Sequence, residues 1–528
     1  MSMDITRCCT LRGAMMRKHL KLVRWGIGIV GGLLVGFWIA LLVGSRAPIL
    51  RQALLSALND KLDAEVELED FGVKTFPLLR IHGDNLKLRL KNQQNPAPFI
   101  QVRHFEVTGG VIGMFRRPRR FTSVELDGLR ITIPPRTGDD NDVGGKAATA
   151  VGGPVIIDRV EAKDAELIIV AKNPRKEPKV WAIHNLVLQS VGFNRSMPFV
   201  ATLRNPIPKG EIAVTGSFGP WVKQDPGLTP MSGRYTFDQA DLGTIDGIGG
   251  ILKSVGDFSG RLDTIDVRGT TTTPDFRLDV GSAAMPLDTT FHALVDGTNG
   301  DTYLKSVQAK LGETPIETSG AIVSHPDVKG RTVQLDMAIN DGRLRDVLTL
   351  AVKAPKPVME GRIALQATML LPPGKTPVPD RLKLEGRFAL EDTVFTDAFV
   401  SDQVAMLSHR ARGRKTDQPM EKVRSDMRGR FTLGGGVLRL DPLVFDVPGA
   451  EADLAGSYGL RSEQLGFAGT LTMTAPVSKA MGGGIKGFLL NPFDPLFRKD
   501  GKGAVVPITI EGPRVKPKFG VDWGKVFK

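Results

Sequence analysis

Residues able to do chemistry are few in this chain, and they are scattered. The seven histidines (His19, His82, His104, His184, His292, His325 and His409) show no HExxH or comparable ligand spacing. The two cysteines, Cys8 and Cys9, are adjacent near the N-terminus, so no disulfide can staple the body and no thiolate metal or redox site lies within it. No G-x-S-x-G, S-x-x-K, P-loop or dinucleotide pattern occurs. The run Gly482-Gly-Gly-Ile-Lys-Gly487, with Asp494 and Asp500 beyond it, comes nearest to a phosphate loop but lacks the Lys-Ser/Thr ending and reads better as a turn. Carboxylates that meet only in the fold leave an acid/base enzyme open. No catalytic residue, metal ligand or cofactor is assigned. The run Phe115-Arg-Arg-Pro-Arg-Arg120 carries Arg116, Arg117, Arg119 and Arg120, which have the charge to touch anionic head groups; a solvated turn between strands is the competing reading.

Composition narrows the classes further. The chain has 528 residues, 41% hydrophobic and 24% charged, enough for several domains with true cores. Gly 60 and Pro 35 make about 18% of it, without a collagen period, which favours many turns and strands over long helices. The net charge is +13, but Arg7, Arg12, Arg17, Lys18, Lys21 and Arg24 face a single acid, Asp4, in residues 1–24, so the body is only mildly basic. With three tyrosines and no nucleic-acid-binding motif, nucleic acid is not an expected partner.

From Trp25 to Val43 no charged residue occurs, and 19 residues at 1.5 Å rise come close to one hydrocarbon thickness. A membrane helix is expected there. A cleaved signal peptide competes, but its apolar region is usually shorter, and Pro48 follows the most plausible cleavage residue, Ala47. The basic cluster before the span puts residues 1–24 in the cytoplasm and the body across the membrane. Trp25 belongs at the interface and Trp38 within the anchor, while Gly28, Gly32 and Gly36 form a small-residue face fit for a partner helix.

Outside the membrane, Pro48 opens an amphipathic helix with Leu50, Leu54, Leu58 and Leu62 on one stripe. Then the period changes to two: Leu86, Leu88 and Leu90 alternate with Lys87 and Arg89, as in an antiparallel strand with one wet face. The stretch Val124-Glu-Leu-Asp-Gly-Leu-Arg-Ile-Thr-Ile133 changes phase at Asp127-Gly128, which reads as a bulge or tight turn. It has a counterpart 36 residues later in Val160-Glu-Ala-Lys-Asp-Ala-Glu-Leu-Ile-Ile169. A looser unit ending in Gly recurs at Ile212–Gly216, Ile265–Gly269, Ile316–Gly320, Leu382–Gly386, Ala452–Gly456 and Ile508–Gly512, as expected of stacked supersecondary units. Phe399, Val400, Val404 and Leu407 are spaced for a short helix over 397–410. The Gly-rich segment 137–153 and the proline-rich Leu371–Pro379 read as linkers.

Taken together, the anchor, the amphipathic helix and the motif Ser123-Val-Glu-Leu-Asp-Gly-Leu-Arg-Ile-Thr-Ile133 resemble the AsmA-like proteins of the Gram-negative envelope. The C-terminal third is similar too, in Val404-Ala-Met-Leu-Ser-His-Arg-Ala-Arg-Gly413, Val447-Pro-Gly-Ala-Glu-Ala-Asp-Leu-Ala-Gly-Ser-Tyr458 and the stretch Pro495–Gly512. The resemblance implies a mainly β fold: an N-terminal transmembrane helix followed by an elongated, twisted antiparallel β-groove of repeated units with a few short helices. It implies a periplasmic body on an inner-membrane anchor, related to bridge-like lipid transfer proteins, with phospholipids as ligands and no catalytic motif. The expected division is a tail (1–24), a span (25–43), an N-terminal helix and β region (45–150), a middle β-groove region (151–370) and a C-terminal region (380–528). An apolar sheet face would be the lipid path, with Leu129, Ile131, Ile133, Leu167 and Ile169 as candidate lining, although ordinary core packing predicts the same alternation. A non-enzymatic scaffold or regulator of outer-membrane protein or lipopolysaccharide assembly, working through an envelope protein partner, is the alternative.

Overall fold

Alternating apolar and polar residues build this protein out of strands. The structure is a computed structural model that describes residues 64–74, 78–90, 98, 100–110, 119–133, 155–169, 179–192, 194–222, 225–281, 283–325, 328–354, 356–413, 422–475, 498–499 and 502–521. The expected anchor (25–43), the helix after Pro48 and the Gly-rich run 482–487 lie outside these residues. Among those described, no helix is long and apolar enough to cross a membrane. The described residues are mainly β with three α-helices among them, and the chain divides into two units: 1–244 with 252–269 and 294–300, and 245–251 with 270–293 and 301–528.

In the first unit lie β1 (Ala64–Glu67), β2 (Asp70–Lys74), β3 (Leu79–Leu90), β4 (Ile100–Gly109), β5 (Arg119–Asp127), β6 (Arg130–Ile133), β7 (Val155–Ile169), β8 (Lys179–Val191), β9 (Met197–Pro206), β10 (Lys209–Phe218) and β11 (Pro230–Asp241). The expected antiparallel sheet needs one correction, because both β5 and β6 run parallel to β7 and the sheet is mixed. The cause is the internal repeat. Val124 pairs with Val160, Leu126 with Ala162, Ile131 with Leu167 and Ile133 with Ile169, so the two copies lie side by side at the 36-residue offset of the sequence. Like residues then share a face, as parallel neighbours require. The break at Asp127-Gly128 is not a bulge, because β4 pairs with β5 and β6 in one unbroken register, His104 with Asp127 and Gln101 with Arg130, so no extra residue is inserted. Gly128 has φ +63°, and Asp164, its counterpart in the second copy, has φ +48°. The Gly128 amide donates to the Lys163 carbonyl (3.0 Å) and the Glu166 amide to that of Leu129 (2.7 Å), which ties the two irregularities together. Ile100, Phe105 and Val124 are fully buried at the centre of a dry core that also takes in Leu86, Leu88, Val102 and Phe121.

β12 (Ile248–Gly249), β13 (Ile251–Arg261), β14 (Thr264–Leu278) and β15 (Met285–Val295) follow, the last three with residues in both units. The second unit continues with β16 (Thr302–Leu311), β17 (Thr314–His325), β18 (Val328–Arg343), β19 (Met359–Leu371), β20 (Lys383–Phe395), β21 (Ser425–Gly434), β22 (Val437–Val447), β23 (Ala450–Gly459), β24 (Gln464–Met473), β25 (Arg498–Lys499), β26 (Lys502–Pro513) and β27 (Lys518–Val521). From β16 to β24, and on through β26 to β27, each strand is antiparallel to the next. Register shifts recur in successive pairs, at Ile339/Gly342, Glu360/Arg362, Leu390/Thr393, Gly429/Phe431 and Leu440/Leu443. Each such bulge raises the local twist.

The recurring Gly pattern acts inside strands. Gly216, Gly320, Gly386 and Gly456 sit mid-strand, where a Cβ would collide with the carbonyl oxygens of Ser232, Gln334, Gln366 and Gly466 on the paired strand. Helix α1 (Leu344–Ala351) seats Leu344, Val347 and Leu348 on Ile339, Ile363 and Leu390, and its buried Asp346 accepts from the Glu313 amide (3.0 Å) and the Thr314 hydroxyl (2.9 Å). Helix α2 (Val378–Arg381) closes the proline-rich stretch. That stretch is held within one unit, with Arg381 donating to the carbonyls of Pro372 and Thr376 and Asp380 paired to Arg461. Helix α3 (Ala398–Ala411) matches the expected short helix, with Asp397 as its N-cap accepting from the Val400 amide (3.0 Å). Its inward face follows expectation in Val404 and Leu407, which pack on the buried cluster, and departs from it elsewhere. Ser401, Ala405, Ser408 and Ala411 are buried while Phe399 is 49% exposed, because small residues let the helix lie close on the sheet and Ser408 satisfies its hydroxyl on the Pro448 carbonyl (2.7 Å).

Candidate functional site

Of the residues picked out in the sequence, Leu129 and Ile131 are half-buried and pack against the dry core of the first unit. Ile133, Leu167 and Ile169 are described at backbone level, in the row Ile131–Leu167–Trp181 and the pair Ile133–Ile169. Arg120 is engaged: its Nε donates to both carboxylate oxygens of Asp158 (2.8 and 3.0 Å). Arg119 opens β5, with its side chain outside the description, and Arg116 and Arg117 lie outside the described residues, as do Trp25, Gly28, Gly32, Gly36, Trp38 and Val43.

The larger apolar surface was missed in the sequence reading, and it lies in the second unit. Cross-strand register aligns Thr318, Met337, Ala367, Gly386, Phe431, Leu440, Gly456, Phe467, Ile510 and Phe519 into one row across ten strands. A second row on the same face runs through Gly320, Leu335, Met369, Leu384, Leu433, Leu438, Tyr458 and Leu465. At about 4.8 Å per strand the first row extends about 43 Å. Leu335, Met337, Met369, Leu384, Phe431 and Leu438 are half-buried, whereas Asp336, Gln366, Glu385, Arg387 and Arg430 between them are exposed. Ala367, Leu433 and Phe467 in the same rows are buried, so the face is half-open in its middle strands rather than along its whole length. Below it the face is closed where α1 sits and where α3 joins Ala411, Val447, Leu454 and Phe467 in a buried cluster.

The first unit shows the same transition along its rows. Val124 (0% exposed) and Val160 belong to the core, and their row continues into half-buried Leu188, Phe199, Gly216 and Gly233. Leu186, Ala201, Val214 and Tyr235 form the next row. Glycines lower this floor: the Phe258 ring lies against Gly233, and that of Tyr235 against Gly256, with no room for a Cβ between. Burial raises the Tyr235 pKa above its ordinary value, and its hydroxyl lies 3.1 Å from the Ser254 hydroxyl.

The opposite face of the second unit is wet. A cavity of about 880 Å³ lies there, where Lys305, Glu317, Asp336, Glu385, Arg387 and Arg430 alternate with the apolar row. Arg387 and Arg430 stand directly opposite one another, and Arg387 is held by Gln366 Oε1 (2.9 Å from Nε). Cations and acids mix along it, as on a solvated sheet face. Among the described residues no group of three His, Cys, Asp or Glu could hold a metal ion.

What the fold and this surface define is a mainly β protein with a long half-buried apolar sheet face. In comparisons with known proteins, no family model, no curated protein and no solved structure matches the chain.

Proposed function

We propose that this protein is an inner-membrane-anchored periplasmic carrier that binds phospholipid acyl chains along its half-buried apolar face and supports lipid transport between inner and outer membrane. One observation carries the reading: rows of apolar residues and glycine run across neighbouring strands, and in them Leu335, Met337, Met369, Leu384, Phe431 and Leu438 stay only half-buried. Laying an acyl chain there removes both partners from water, worth about 0.8 kcal/mol per buried CH₂. The anchor expected over residues 25–43 and the AsmA-like motifs support the periplasmic address.

The test is a photo-reactive amino acid placed in the full chain in cells. At Leu335, Met369 or Leu384 it is expected to capture phospholipid, and at Gln366 or Arg387 on the wet face it is not. Capture of protein alone at the apolar positions, or equal lipid capture on both faces, would sink the carrier reading and favour a scaffold.

A further inference from the structure

The apolar row that crosses the second unit ends on an exposed side chain. Ile510 on β26 pairs with Phe519 on β27, and Phe519 is 58% exposed. No described strand pairs with the other edge of β27. In the turn before β27, Val515 is 77% exposed, the highest value among the large exposed hydrophobics described. Two large apolar side chains this exposed on one hairpin suit an interaction surface.

The turn is held in place. Arg514 donates its backbone amide to the Glu463 carbonyl (3.0 Å), forms an ion pair with the Glu463 carboxylate (3.6 Å) and reaches the Lys353 carbonyl (3.5 Å). Val515, Lys516 and Phe519 are thus presented on a pinned hairpin.

Charge selects the partner. Residues 511–521 contain Arg514, Lys516 and Lys518 against only Glu511. Exposed apolar side chains interleaved with lysines fit the boundary between acyl chains and anionic head groups. Addition of a strand from another protein fits less well, because Pro517 and Lys518 blunt the edge it would need.

We infer that the β26–β27 hairpin docks on an anionic lipid bilayer, with Val515 and Phe519 among the acyl chains and Lys516 and Lys518 on lipid phosphates. This deepens the carrier reading, since it would bring the end of the apolar row to a membrane surface. The docking itself does not require lipid in the face.

The experiment uses the full chain, held by its own anchor in phosphatidylcholine nanodiscs and floated with vesicles of phosphatidylcholine with or without phosphatidylglycerol. The protein is expected to float with the phosphatidylglycerol vesicles. Val515→Glu with Phe519→Glu should weaken this about tenfold or more, the scale of withdrawing one large apolar side chain from lipid. Lys516→Glu with Lys518→Glu should remove the dependence on phosphatidylglycerol. Because these side chains lie outside the core, melting temperatures should match the parent, which separates lost docking from lost folding. Equal flotation of parent and apolar variant, or no flotation of the parent, overturns the inference. So does a protein captured by a photo-reactive residue at Lys518 where lipid is expected. Lipid capture at Met369 is read in the same variants: its loss with docking intact refutes the carrier alone, and its retention with docking absent refutes the hairpin alone.

Discussion

At the scale of single residues, two carboxylates respond to pH in opposite directions. Glu161 accepts from Arg159 Nη2 (2.8 Å) and lies 3.2 Å from the Lys163 ammonium, with its side chain 16% exposed. The Arg159 hydrogen bond, aided by Lys163, holds its pKa below 4.5. Its contribution to stability is complete above the unfolded value and is lost as pH falls through the folded one. Glu161→Gln should therefore lower the melting temperature at pH 7, with the effect shrinking as the pH falls below the ordinary carboxylate range. Asp446 is raised above 3.8, first by burial and then by Glu451 and Asp426, its cross-strand neighbours. The fold favours its neutral form, so stability is lost as pH rises from the unfolded pKa through the folded one. Asp446→Asn should raise the melting temperature at pH 7, with the gain vanishing near pH 3. A thermal melt at both pH values checks the pair.

Among the elements, glycine decides how closely strands approach. At Gly386 a Cβ would meet the Gln366 carbonyl and the Ala367 backbone, while at Gly466, also inside a strand, nothing lies within 4 Å. Gly386→Ala is expected to cost on the order of 1–3 kcal/mol from overpacking. Gly466→Ala should be neutral or slightly stabilising, because it restricts the unfolded chain. Chemical denaturation of the two variants measures both. The repeated Gly pattern was legible in the sequence, but its reason was not. A strand-ending glycine and a mid-strand glycine facing a carbonyl look alike until the partner strand is known. Helix α3 was legible in its extent for a similar local reason, the Asp397 cap and the spacing of Val404 and Leu407. Its inward face was legible only in part, since the sheet beneath selects small residues and leaves Phe399 exposed.

For the molecule as a whole, the same alternation serves two ends. Where the apolar face closes, as around Phe105, truncation leaves a cavity: Phe105→Ala should cost about 3–5 kcal/mol. Where the face stays open, a charge can reach solvent, so Leu335→Lys should shift the melting temperature little while abolishing lipid capture at the adjoining Met369. Equal destabilisation by both changes would mean that the open face is ordinary core.

The sequence by itself determined the β character, the alternation of apolar and polar positions and the existence of the 36-residue repeat, because these follow from period two and from local composition. Only the tertiary structure decided that β5 and β6 run parallel to β7, and that Leu129 and Ile131 pack against a dry core. It alone showed that a half-open apolar face lies instead on residues such as Leu335, Met369 and Leu384. Periodicity fixes which side of a strand is apolar. Whether another layer covers that side depends on contacts made far away along the chain.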